Sequence, residues 1–167
     1  MWSRFLFGTL VIVTTSVFGG SNKSLSAQMN MGMSSDELPQ SFQEPMKLFE
    51  KGLGPLTRTV TTDVVEAQAF FNQGLQLMYA FTPEDAARSF REAQKKDPSC
   101  SMCYFGEAWA WGHYLNGPMG PGDLPRAQEA IQMARRLAED ASGVEKALIG
   151  AMEVRYVGRT DRSPQIA

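Results

Sequence analysis

The stretch from Ala67 to Pro98, AQAFFNQGLQLMYAFTPEDAARSFREAQKKDP, constrains the chain most, because it holds two helices and the turn between them in one run. Phe70, Gly74, Leu77, Met78 and Phe81 recur at helical spacing, so a first helix carries one apolar face. A second helix is expected at once. Thr82 is placed to cap it, and Pro83 suits the first helical position, where no N–H is needed. Glu84 and Asp85 then set negative charge at the positive end of the helix dipole. Ala86, Ala87, Phe90 and Ala93 follow as a stripe of small residues around one large one, which lets two helices approach closely.

Phe70, Gly74 and Leu77 in the first helix, Ala86, Phe90 and Ala93 in the second, and the closing Pro98 together resemble the tetratricopeptide repeat (TPR). After Pro98 the pattern restarts. Phe70 corresponds to Tyr104, Gly74 to Ala108 and Leu77 to Trp111, each at a separation of 34, while Ala86, Phe90 and Ala93 reappear as Ala127, Ile131 and Ala134 at 41. The seven extra residues fall in 112–125, GHYLNGPMGPGDLP, whose glycines and prolines exclude a helix. A third first-type helix opens on a capping box, Ser142 and Glu145, with Ala147, Leu148, Ala151, Met152 and Val154 as its expected apolar side.

The resemblance implies an all-α fold of antiparallel helix hairpins stacked as a short right-handed solenoid of about two and a half repeats. They span 63–97, 98–140 and, in part, 142–157, and a polar tail follows at 158–167. Such repeats bury their faces only against neighbours, and about three are needed for stability. Three arrangements meet that need: the third helix as a cap, pairing with a second copy, or a longer protein of which this is the front part. The last is expected.

Residues 1–27 stand outside the repeats. Arg4 precedes the apolar FLFGTLVIV, and a small-residue exit ends at Ala27, the pattern of a cleaved signal peptide; a retained N-terminal anchor is the other reading. The apolar run is shorter than the roughly 20 residues of a membrane span. Export to the periplasm or beyond is therefore expected, with no membrane attachment after cleavage. Cleavage leaves 14 basic and 18 acidic residues. Clustered positives, Lys95–Lys96 and Arg135–Arg136, sit near helix C-termini, where the dipole favours cations, so no nucleic-acid surface is expected. Residues 28–62 read as a flexible linker broken by Pro39, Pro45 and Pro55, with a short helix allowed over 45–51. Asp63 and Glu66 form a capping signature for the first helix.

DPSCSMCYFGEAWAWGHYLNGPM, with FNQGLQLMYAF and RSFREAQKKDP before it, is similar to bacterial exported TPR proteins that carry Cys-x-x-Cys at the start of the second repeat. Members often have Asn-His where this chain has Thr82-Pro83, and some have His after the second cysteine, where it has Tyr104. Without that His, covalent haem is not expected. Cys100 and Cys103 lie at a helix start, with Asp97 as expected cap and Pro98 as first helical residue, a setting that stabilises a thiolate. A local disulfide is the first reading. The others are two buried thiols between repeats, or a redox or soft-metal site. Met29, Met31 and Met33, with Cys100, Cys103, His113 and Met119, make a thioether-rich donor set for copper, the alternative to a chain with no cofactor. Zinc would want four Cys or His ligands, and the chain has three such residues.

His113 is the one histidine, and no Ser-His-acid grouping or phosphate loop stands out, so an enzyme is not expected. In TPR folds the first helices of successive repeats line a concave groove. Here Gln68, Phe71, Leu75, Met78 and Tyr79 from the first repeat would face it. From the second repeat, Met102, Phe105, Trp109 and His113 would join them. An aromatic, apolar groove suits a protein or peptide partner, either an apolar segment or an amphipathic helix. The same side chains could instead pack on later repeats or on a second copy. The 112–125 loop is a further candidate site.

Overall fold

The computed structural model describes residues 38–113, 117, 119, 120 and 122–156. The signal-peptide reading, the methionine run and the tail lie outside them. Five α-helices and no long strand make up the described chain: α1 (Val65–Tyr79), α2 (Pro83–Lys96), α3 (Ser101–Ala110), α4 (Asp123–Arg136) and α5 (Gly143–Tyr156). Each packs on the next, and α3 also meets α1 and α5. No helix among the described residues is long and apolar enough to cross a membrane.

Phe90 is the centre of that packing. It is fully buried, and its ring lies 5.5 Å from that of Phe71. Two glycines make room for it: a Cβ at Gly74 on α1 would stand 2.7 Å from the ring, and one at Gly106 on α3 would come closer still. Both separations are shorter than real Cβ contacts, so the ring fits between three helices only because two of them lack a side chain there.

Helix ends depart from expectation in four places. Asp63 does not cap α1; the N-cap is Val64, and Glu66 instead pairs with Lys96 at 3.2 Å. Thr82 precedes α2 without capping it, because its hydroxyl donates to the Leu77 carbonyl at 3.2 Å. Asp97 and Pro98 stay outside α3, since the Asp97 carboxylate is taken by Ser99 N–H at 2.9 Å and by the Thr62 hydroxyl. The helix therefore starts three residues later, with Cys100 as N-cap. Pro125 lies within the first turn of α4, where its missing N–H has no partner to lose. Over 45–51 the chain is irregular; the short helical turn falls earlier, at Gln40–Gln43.

The α1–α2 turn is a Schellman motif. Thr82 N–H bonds the Leu77 carbonyl at 3.1 Å and Phe81 N–H bonds that of Met78 at 3.2 Å. Phe81 holds the left-handed position (φ 61°), which glycine usually takes, and its ring is exposed. Phe81→Gly is expected to raise stability by about 0.5–1 kcal/mol, read as a higher urea midpoint at unchanged slope.

Helix α5 buries Glu145, Ile149 and Tyr156, while Ala147, Ala151 and Val154, expected on its apolar side, face solvent. Tyr156 sets this rotation. Its hydroxyl donates to the Ala108 carbonyl at 2.8 Å and fills the space where a Gly112 side chain would stand.

Candidate functional site

Alternate helices share one apolar cleft of about 190 Å³. Phe71, Leu75 and Tyr79 reach it from α1, and Met102, Phe105 and Trp109 from α3. These six recur every four or three residues on their helices, which is why one face of each meets the same space. Tyr79 and Trp109 bridge it edge to face, with ring centres 6.0 Å apart. Phe71 and Met102 are nearly closed off, whereas Phe105 and Trp109 stay partly exposed and Tyr79 is open to solvent. The cleft thus has a packed floor and a wet rim.

Three residues expected there lie elsewhere. Met78 packs into the core, and His113 follows α3, where its carbonyl accepts from Arg155 Nη2 at 2.7 Å. Gln68 does not line the cleft; its amide holds the main chain ahead of α1. The sequence pattern did not place Leu148 and Met152 of α5, Gly106, Phe90 or Arg58 in this cleft, yet they complete its lining. Leu148 and Met152 carried a signal, as apolar residues of a third first-type helix. Arg58 carried none, since it comes from the segment before α1.

That segment is irregular but not loose. Four side-chain amides of α1 hold its main chain. Gln73 accepts from Phe49 N–H at 2.7 Å and donates to the Lys47 carbonyl at 3.0 Å. Gln76 donates to the Leu56 carbonyl at 2.7 Å. Asn72 accepts from Arg58 N–H at 3.1 Å, Gln68 donates to the Arg58 carbonyl at 2.9 Å, and Gln68 also accepts from Val60 N–H at 3.0 Å. Gln68, Asn72 and Gln76 are four residues apart and form one stripe on the helix. Met46 and Val60 are buried at the two ends of the span. Farther upstream, Phe42 stacks on Trp111 with ring centres 5.2 Å apart.

The segment ends on two carboxylates. Thr61 gives its N–H and hydroxyl to Glu145 at 2.8 and 2.6 Å, and Thr62 gives its hydroxyl to Asp97. Glu145 also receives Ser142 N–H at 2.8 Å, while Ser142 Oγ accepts from Glu145 N–H at 3.4 Å, so the expected capping box forms and does a second job. Burial alone would push the Glu145 carboxyl up; the Thr61 and Ser142 hydrogen bonds outweigh it and hold the group below the usual range. Asp97 behaves alike: burial opposes ionisation, and the Ser99 and Thr62 bonds prevail.

Cys100 and Cys103 form a disulfide, with Cα atoms 5.4 Å apart. Cys100 is extended rather than helical (φ −67°, ψ 93°), and its sulfur accepts from Cys103 N–H at 3.2 Å, so the bridge caps α3. Bonded to each other, the two sulfurs offer no thiolate to a metal. Of the remaining copper donors, Met119 is buried and His113 is partly exposed. In the 112–125 loop the Gly120 N–H is taken by Asp123. Compared with protein-family models, curated proteins and solved structures, the chain matches none of them.

Proposed function

We propose that the chain is an exported TPR scaffold or adaptor, delivered by a signal peptide over residues 1–27, and that it binds a protein or peptide partner through the cleft between α1, α3 and α5. One observation carries the reading: three alternate helices place partly exposed Phe105, Trp109, Leu148 and Met152 around a single apolar cleft. A core does not need a wet aromatic rim, whereas recognition of an apolar side chain does. The stack is read as continuing beyond α5, whose Ala147, Ala151 and Val154 are uncovered.

The test is capture of envelope proteins by the immobilised mature protein, compared with a Phe105→Ala, Trp109→Ala variant. Both side chains are only partly buried, so the variant is expected to fold, as circular dichroism checks. A bound partner should be held at least about thirtyfold more weakly by the variant. Equal retention by the two proteins would remove the cleft as the binding surface.

A further inference from the structure

We propose that the cleft selects an acidic peptide, one that presents a large apolar side chain beside a carboxylate. The inference rests on the cleft being the binding surface and names what that surface recognises. Volume sets the first requirement. An apolar cavity of about 150 Å³ accepts one benzene ring, so about 190 Å³ has room for a single inserted ring-sized group.

Charge sets the second. Of the residues that line the cleft only Arg58 is charged, and none of the ion pairs among the described residues uses it. Its place is fixed from behind. Asn72 takes its N–H and Gln68 its carbonyl, and Gln68 Nε2 also donates to Asn72 Oδ1 at 3.1 Å. A guanidinium whose main chain is clamped on both sides loses less freedom when it pairs than one on a loose segment. Arg58 therefore brings a cation, on a fixed main chain, to the lining of an apolar space, complementary to a carboxylate whose neighbour fills that space.

Two peptides of equal shape test this by nuclear magnetic resonance titration of the mature protein: N-acetyl-Ala-Asp-Phe-Ala amide and the same peptide with Asn for Asp. The Asp peptide is expected to bind about tenfold more tightly, the effect of one charge-assisted pair, and to shift the Trp109 indole N–H signal. Arg58→Gln is expected to remove that difference, so that the two peptides bind the variant equally. Equal affinity of the two peptides, with both lost in the Phe105→Ala, Trp109→Ala variant, overturns the carboxylate preference and leaves the cleft as the binding surface. Affinities untouched by that variant overturn both. A tenfold preference that survives Arg58→Gln overturns the role of Arg58.

Discussion

Phe90→Ala is expected to cost about 3–5 kcal/mol, the largest loss from any single substitution considered. The ring is fully buried and fills the gap between α1, α2 and α3, and on two sides nothing can follow if it is removed, because Gly74 and Gly106 have no side chains to relax inward. The same geometry predicts a coupling. Gly106→Ala alone is expected to cost about 1–3 kcal/mol, because the new methyl meets the ring and displaces it from its packed position. In a Phe90→Ala background that methyl enters empty space, so Gly106→Ala should cost little or become favourable. Urea unfolding of the two single variants and the double variant gives the coupling directly. Additive losses would mean that ring and glycine do not share one site.

Glu145→Ala is the second large effect, about 2–3 kcal/mol. The carboxylate accepts from Thr61 twice and from Ser142 N–H, so one change releases the end of the N-terminal segment and uncaps α5. It also carries a pH signature. The folded group ionises more easily than its ordinary value of 4.5, and Asp97 more easily than 3.8. A carboxyl lowered by folding contributes fully above the unfolded value, and the contribution disappears as pH falls through the folded one. Stability should thus be level near neutrality and fall below about pH 4.5. Urea midpoints between pH 7 and 3 should decline less steeply for Glu145→Gln than for the parent chain. Parallel curves would show that this carboxylate is not what acid removes.

What could be read from the residues was whatever repeats. The Ala86, Phe90, Ala93 stripe, the glycine opposite it at 74, Pro83 at a helix start and the Ser142–Glu145 box all announce themselves by spacing, and they lie where spacing puts them. The apolar positions on α1 and α3 followed the same logic, and six of them meet in one cleft. Polar contacts were not readable in this way. Asn72, Gln73 and Gln76 look like ordinary solvent-facing residues and Gln68 like a groove residue, because their main-chain partners lie eight to 26 positions upstream. Asp97 looked like a cap for the same reason. Nothing local reveals that Thr62, 35 residues away, takes one of its oxygens. Arg58 enters the cleft only because those amides bring its segment there.

Amides that grip peptide groups cannot tell one side chain from another. The chain ahead of α1 is therefore specified by α1, and between Lys47 and Val60 most residue identities carry little of the information that seats them. Apart from Val60 and Leu53, which pack on the core, such a stretch is free to drift, provided the N–H groups of Phe49, Arg58 and Val60 remain, which means that proline is the residue excluded at those three positions. The cleft inherits that freedom. A wall held at position 58 by its peptide groups can exchange the residue there without disturbing the helices, so the charge at the mouth can change while the apolar floor stays as it is.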